Sequence, residues 1–179
     1  MPNIEPEPTV SSETAFSGKL IEVRKDIVRL PDGKTTTREI VVHAEVIAVL
    51  PLLDDGRLVM VRQFRKAAER VLLELPAGGI DEGESAEDAV RREMEEETGY
   101  RVGSLRHLAS FYTSPGFTTE LMHLYEATDL ESGEPTEETD QIEVVPLRVE
   151  ETLQQLGSGE LADAKTILGL LWYAREQQK

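Results

Sequence analysis

The chain has no cysteine, only one tryptophan, and far fewer basic than acidic residues. The lack of cysteine excludes disulfide bonds, zinc–thiolate sites and cysteine nucleophiles. With 19 Lys and Arg against 35 Asp and Glu, the formal charge is −16, which disfavours sequence-independent binding to nucleic-acid phosphates. No apolar run reaches the length of a membrane span, and the first residues lack the order of a signal peptide. We therefore expect a soluble cytoplasmic protein that binds neither nucleic acid nor membrane.

The element pattern predicts three segments. Residues 1–15 contain three prolines and several acids, which is typical of a flexible arm. Residues 16–43 carry two β-rich runs around a Pro-Asp-Gly-Lys turn, which predicts an N-terminal β hairpin. Residues 44–179 mix apolar strands with three helical patterns, which predicts an α/β or α+β sandwich. The helices are expected at 85–98, 149–156 and 163–178, and an acidic loop at 128–140.

The first of these helices carries clustered carboxylates. Ser85 is placed as its N-cap and Gly99 as its end. Glu93, Glu96 and Glu97 project from one sector because they are three and four residues apart. Like charges at this spacing destabilise a bare helix slightly, whereas Mg²⁺ or Mn²⁺ prefers such oxygen ligands. A solvated acidic helix face is the alternative interpretation.

These residues form part of a longer pattern with seven fixed positions over 23 residues. The chain thereby resembles the Nudix hydrolases, whose box has a glycine, then a glutamate, then an Arg-Glu pair, two further glutamates and a closing glycine. All of its fixed letters are present: Gly78, Glu84, Arg92-Glu93-Met94, Glu96-Glu97 and Gly99-Tyr100. The resemblance implies the family's α/β/α sandwich with a mixed sheet.

The flanking sequences resemble the ADP-ribose and nucleoside-diphosphate-sugar pyrophosphatases within that family. The evidence is the Glu-Leu-Pro-Ala-Gly run at 74–78, the Arg-Glu pair that ends the hairpin at 38–39, and the segment 114–120. Pro115 lies 16 residues beyond Gly99, a spacing associated with hydrolysis of ADP-ribose; an ordinary Ser-Pro-Gly turn is the alternative.

The resemblance assigns metal ligation to Glu93, Glu96, Glu97 and the backbone carbonyl of Ala77. Two or more Mg²⁺ or Mn²⁺ ions would bind the diphosphate and orient the attacking water. Glu97 therefore also counts among the catalytic residues.

The attacking water needs a general base, and the resemblance places it in the acidic loop before the last strand. Glu138 is the candidate there, and Asp140 is a candidate metal-side acid. A solvated acidic loop is the alternative. Glu137 and Glu120 remain open as other candidates for the base, and Glu120 also for a substrate contact.

Substrate binding needs cations because the metal carboxylates alone would repel a diphosphate. Arg38 and Arg65 match positions at which relatives contact phosphate or nucleotide, and Gly78 belongs to the substrate loop. A surface ion pair is the alternative for each arginine. Glu45 departs from the family, which often has Gly or Ala at this position near the nucleotide pocket. It therefore affects which nucleobase the substrate is expected to carry.

The resemblance thus implies Mg²⁺-dependent hydrolysis of ADP-ribose to AMP and ribose 5-phosphate. It also implies a homodimer with exchanged N-terminal β units. A GDP- or UDP-sugar is the alternative substrate. A non-catalytic ADP-ribose sensor is a further alternative, although a sensor would be expected to lose box acids that this chain keeps.

Overall fold

The computed structural model describes residues 4–135, 141–157 and 161–178. The chain divides into two compact units. The first consists of Met1–Glu45 with Phe111–Leu121, and the second of Val46–Ser110 with Met122–Lys179. We call them the N-terminal unit and the main unit. No helix among the described residues is both long and apolar enough to cross a membrane.

The N-terminal unit contains a three-stranded antiparallel sheet in the order β1-β2-β3. The predicted hairpin is confirmed as β2 (Glu22–Arg29) and β3 (Thr35–Val42). Its turn contains Gly33, whose φ of 85° lies in the left-handed region that favours glycine.

Strand β1 (Thr9–Ser17) corrects the prediction of a flexible arm through residue 15. It pairs with β2 along its length, and Ser12 donates a hydrogen bond to the buried carboxylate of Asp26 at 2.6 Å. Every residue of β1 is exposed, so no apolar alternation marked it as a strand. Backbone pairing to β2 supplies the order that composition does not indicate.

The main unit contains two sheets and three α-helices within its described residues. One sheet has the order β10-β5-β6 and the other β7-β4-β9-β8. The strands are β4 (Val46–Pro51), β5 (Arg57–Arg65), β6 (Arg70–Glu74), β7 (Ala77–Gly79), β8 (Arg101–Tyr112), β9 (Leu121–Glu131) and β10 (Ile142–Arg148). The helices are α1 (Ala86–Thr98), α2 (Val149–Gln154) and α3 (Ala164–Glu176), with a short 3₁₀ turn at Lys66–Ala68.

Strand β4 is buried along its whole length. It pairs in parallel with β9 and antiparallel with β7, which confirms the predicted mixed sheet. Ile47 and Val49 belong to the same apolar cluster as α1, whereas Leu50 approaches α3 at Gly169. A Cβ at Gly169 would lie 3.4 Å from Leu50 and 2.7 Å from Leu75, so glycine permits this close approach. Helices therefore cover both faces of β4.

The predicted helices agree with the observed ones to within a few residues at each end. The predicted acidic loop begins later than expected, because β9 continues to Glu131. Residues 136–140 of that loop lie outside the described residues.

Candidate functional site

The site is built on α1 and on the loop that precedes it. The hydroxyl of Ser85 accepts a hydrogen bond from the N–H of Asp88 at 3.1 Å and donates one to the Asp88 carboxylate at 2.7 Å. These two hydrogen bonds fix the start of the helix. Gly99 ends the helix with a φ of 76°. Ala89, Val90 and Met94 are buried in the apolar cluster. This packing fixes the rotation of α1 and thereby directs its carboxylates.

Glu97 is the half-buried carboxylate at the centre of the site. It accepts the backbone N–H of Ala77 through Oε2 at 3.3 Å, so helix and loop meet at the two residues that the resemblance assigns to metal. Burial and the negative charge of Glu93 together raise the pKa of Glu97 to about 7, against the smaller opposing effects of the Ala77 N–H and of two positively charged side chains, Arg65 and Lys165. The ionised form of Glu97 is therefore destabilised unless a cation compensates it.

Glu93 packs against the loop at Gly78. A Cβ built at Gly78 would lie 1.9 Å from Cδ of Glu93 and 2.0 Å from its Oε1. Any side chain at position 78 would displace this carboxylate. Gly79 differs, because a Cβ there meets nothing within 4 Å.

Arg92 orients two of the candidate ligands. Its Nη1 donates to Glu93 at 2.7 Å and to Glu96 at 3.1 Å, and its Nη2 donates to the Gly79 carbonyl at 2.8 Å. Nε and Nη2 also donate to the two oxygens of Glu84, each at 2.9 Å. Hydrogen bonding to Glu84 is the largest of the effects that raise the pKa of Arg92.

Arg92 pairs with Glu96 four residues further along α1, a spacing that places opposite charges side by side on a helix. The role of Glu84 as the main partner of Arg92 was missed. Its fixed position eight residues ahead of Arg92 in the box was the available signal, but a loop residue and a helix residue have no periodicity that predicts contact.

The donor set suits a hard divalent cation. Glu93, Glu97 and the Ala77 carbonyl all offer oxygen, which Mg²⁺ and Mn²⁺ prefer. Across the described part of the chain, no group of three acidic or histidine side chains converges into a ready-made cage. Arg92 holds one oxygen of Glu93 and one of Glu96. Ala77 and Glu97, which a hydrogen bond already brings together, offer oxygen donors that fit a cation at this site, and the raised pKa of Glu97 agrees with that fit.

Arg65 lies in the same unit and forms a two-pronged pair with Glu74. Its Nε and Nη2 donate to the two carboxylate oxygens at 2.8 Å each. Glu74 is 1% exposed and also contacts the ammonium of Lys165, whereas the Arg65 side chain is 42% exposed. Burial by itself raises the pKa of Glu74, but the Arg65 hydrogen bonds and the Lys165 charge outweigh it and leave the pKa below its ordinary value.

Arg38 and Glu120 lie in the N-terminal unit. Arg38 pairs with Glu7 through two hydrogen bonds at 2.7 and 2.9 Å. Glu120 accepts the hydroxyl of Thr113 at 2.5 Å, and His43 Nδ1 lies 3.9 Å from it. The predicted roles of Arg38 and Glu120 stay predictions.

The candidates of the acidic loop, Glu137, Glu138 and Asp140, lie outside the described residues. Glu45 is exposed at the end of the first segment of the N-terminal unit. The expected effect of Glu45 on the choice of nucleobase in the substrate therefore also stays a prediction.

Comparison with known proteins finds two family matches. The NUDIX domain model matches residues 42–167, and the model of the nucleoside diphosphate sugar hydrolase N-terminal domain matches residues 7–41. Together the two matches cover both the hairpin and the carboxylate helix.

Curated relatives match most of the chain. It is 44% identical over 163 residues to an ADP-ribose pyrophosphatase of Bacillus subtilis, covering 89% of this chain and 88% of the relative. It is 38% identical over 167 residues to a methanol dehydrogenase activator of Bacillus methanolicus, covering 92% and 90%. A GDP-mannose pyrophosphatase of Cronobacter sakazakii is 38% identical over 121 residues, covering 62% and 63%.

A solved structure described as an ADP compounds hydrolase has the same fold. Its TM-score is 0.88 at 20% sequence identity, and the match covers 99% of this chain and 97% of that one.

Proposed function

Because the chain belongs to the Nudix family, we propose that it is a Mg²⁺- or Mn²⁺-dependent hydrolase that cleaves the diphosphate of ADP-ribose to AMP and ribose 5-phosphate. The pairing of a Nudix domain with the N-terminal domain of nucleoside diphosphate sugar hydrolases supports a nucleoside diphosphate linked to a sugar as the substrate. The 44% identity to an ADP-ribose pyrophosphatase over nearly the whole chain favours ADP-ribose among these.

One observation carries the proposal: Glu97, half-buried beside Glu93, meets the N–H of Ala77 at the glycine loop. Glu97 is withdrawn from solvent beside a like charge, which raises its pKa, and a cation bound there would compensate its ionised form. Glu93, Glu96, Glu97 and the Ala77 carbonyl would hold two or more ions. Bound there, the ions supply charge neutralisation of the diphosphate and activation of water.

The chain's own residues have separate tasks in this scheme. Gly78 leaves room for the substrate and for the Glu93 carboxylate. Arg92 fixes the rotamers of Glu93 and Glu96. Arg65 offers its Nη1 to a phosphate oxygen, since Nε and Nη2 are engaged by Glu74.

The general base is proposed to be Glu138, with Glu137 and Glu120 as alternatives and Asp140 as a metal-side acid. Its task is to remove the proton of the attacking water. Glu138→Gln should lower turnover far more than metal affinity. If turnover is unchanged, the base is one of the two alternatives.

A GDP-sugar is the second candidate substrate, favoured by the match to a GDP-mannose pyrophosphatase. That match covers a smaller part of this chain than the match to the ADP-ribose pyrophosphatase. Initial rates on ADP-ribose, GDP-mannose and UDP-glucose with Mg²⁺, scored by kcat/KM, decide between them. We expect kcat/KM to be highest for ADP-ribose. A higher kcat/KM for GDP-mannose would make GDP-mannose the preferred substrate instead.

We also propose a cytoplasmic homodimer in which the N-terminal β units are exchanged. The support is β1, all of whose residues are exposed in the single chain, with Val10 and Phe16 each at least half exposed. Light scattering should give a mass of about 40 kDa, twice the 20.0 kDa of the chain. A mass of one chain would contradict the dimer.

A further inference from the structure

Lys165, at the start of α3, is a buried charge with no place in the proposed chemistry. Its side chain is 7% exposed, and lysines are almost never buried this fully unless paired. Its ammonium contacts the carboxylate of Glu74 and lies 3.1 Å from Asp163. Glu74 in turn holds both prongs of Arg65. Ion pairs thus connect four side chains in one network: Arg65, Glu74, Lys165 and Asp163.

The next residue of α3, Thr166, contacts the backbone of Leu75, which directly follows β6. The hydroxyl of Thr166 accepts the N–H of Leu75 at 2.8 Å and donates to Asp163 at 2.5 Å. Thr166 is completely buried. A buried N–H of Leu75 without an acceptor would be costly, so the contact with Thr166 fixes the course of the chain as it leaves β6.

The segment held by α3 leads directly into the site. Leu75 is two residues before Ala77, whose N–H donates to Glu97. Between them, the carbonyl of Pro76 accepts the N–H of Val49 at 2.9 Å, which ties the segment to β4. Glu74 and Leu75 are therefore bound by α3, Pro76 by β4, and Ala77 by α1.

The same network sets the direction of Arg65. With Nε and Nη2 fixed on Glu74, its Nη1 and the remaining hydrogen of Nη2 are the donors left for a substrate. Lys165 neutralises part of the charge on Glu74. Without Lys165, the buried carboxylate would rely on Arg65 alone and would draw the guanidinium inward.

We propose that Lys165 and Thr166 are positioning residues for hydrolysis: through Glu74 and Leu75 they hold the Ala77 loop against Glu97 and aim Arg65 at the substrate phosphate. The proposal rests on the proposed function, because it assigns these two residues to the metal loop and to the phosphate contact described there. The competing explanation is a buried ion pair that serves stability alone.

Thr166→Val tests the loop half of the proposal because it keeps the shape of the side chain and removes the hydroxyl. Mn²⁺ affinity of the substrate-free protein, measured by electron paramagnetic resonance, should fall by about tenfold, as for other groups that position metal ligands. Thr166→Ser should restore it. Thr152→Val is the matched control, since Thr152 is equally buried and its hydroxyl donates to the Arg148 carbonyl at 3.0 Å, away from Leu75 and Asp163.

Lys165→Met tests the second part of the proposal, which concerns the direction of Arg65. KM for ADP-ribose should rise about tenfold, more than kcat falls, because substrate positioning is lost while the metal carboxylates remain. Lys165→Arg should recover much of the KM, since it restores the cation beside Glu74.

The explanation by stability alone predicts a different result. Lys165→Met and Thr166→Val would then lower Tm, as is expected for Thr152→Val, and leave Mn²⁺ affinity and KM within about twofold of the wild type. That result overturns the proposal. If Lys165→Met does not fold, Lys165→Gln takes its place in the KM measurement, and Thr166→Val still tests the position of the Ala77 segment. A wild-type protein without metal-dependent hydrolysis would instead refute the proposed function, which separates the two failures.

Discussion

Glu97 and Glu74 are two carboxylates withdrawn from solvent in the same unit, and their surroundings shift their pKa values in opposite directions. Glu74 is fully buried but receives Arg65 and Lys165, and its pKa is lowered. Glu97 faces Glu93 and receives one backbone N–H at 3.3 Å, and its pKa is raised to about 7. Among the described residues, no arginine or lysine forms a salt bridge with Glu97.

The difference separates a carboxylate that two side-chain cations neutralise from one that has no such ion pair among the described residues. A buried carboxylate with two cations is satisfied by the protein itself and resists further ligands. A carboxylate beside a like charge is satisfied only when a cation is added. The contrast between the two carboxylates therefore supports the proposal that Glu97 gains most from a bound metal ion.

The largest effect is expected for Glu97→Gln. Removal of a central metal ligand should lower kcat/KM by about 10³-fold, while the metal-free protein should be no less stable, because the strained charge is gone. Steady-state rates and thermal unfolding measure the two properties. Glu95→Gln is the matched control, since Glu95 is exposed on the same helix. Retention of most activity by Glu97→Gln would refute the metal assignment.

Glu74→Gln should lower the stability of the protein, which Glu97→Gln should leave unchanged or raise. Removal of the buried charge leaves Lys165 and Arg65 without their shared partner, at a cost of about 3 kcal/mol in the free energy of unfolding. Urea unfolding measures this change. A loss below 1 kcal/mol on the same scale would mean that the network behaves like a surface pair, and the contrast with Glu97 would disappear.

Gly78→Ala should damage the site while sparing the fold. The new Cβ would lie 1.9 Å from the Glu93 carboxyl, which can swing aside at little cost in stability but leaves its ligand position. We expect activity to fall by about a hundredfold with little change in Tm. Gly79→Ala is the control, because its Cβ has open space and its φ is not positive. Equal activities of the two variants would exclude the proposed role of the Glu93 position.

The smallest effect concerns pH. The pKa of Glu74 is lower in the folded state than its ordinary value of 4.5, so its contribution to stability is present above pH 4.5 and is lost as the pH falls through the folded-state pKa. The stability difference between wild type and Glu74→Gln should therefore narrow on acidification. Urea unfolding at a series of pH values measures it. A difference that widens at low pH would reverse the sign assigned to Glu74.

Local rules predict the parts of the molecule that are contiguous in sequence. The capping pair Ser85 and Asp88, the end of α1 at Gly99 and the Arg92–Glu96 contact all lie within one helix and its ends. The family resemblance assigns both Ala77 and Glu97 to metal ligation, and a hydrogen bond joins the two residues in the structure.

Long-range features could not be predicted in the same way. The Lys165–Glu74 contact joins residues 91 positions apart, and a lysine in an amphipathic helix has no periodic signal that marks it as buried. Strand β1 is entirely exposed, so its pairing with β2 left no apolar pattern. Likewise, the grouping of Phe111–Leu121 with the N-terminal unit depends on contacts such as Val41 N–H to the Phe117 carbonyl at 2.7 Å.

The most direct test of the central claim is Mn²⁺ binding to the substrate-free wild type, Glu97→Gln and Glu95→Gln, followed by electron paramagnetic resonance. The account predicts tight binding by the wild type and Glu95→Gln, and affinity reduced by about a hundredfold in Glu97→Gln. Equal affinity in all three proteins would contradict the claim that Glu97 is the carboxylate completed by a metal.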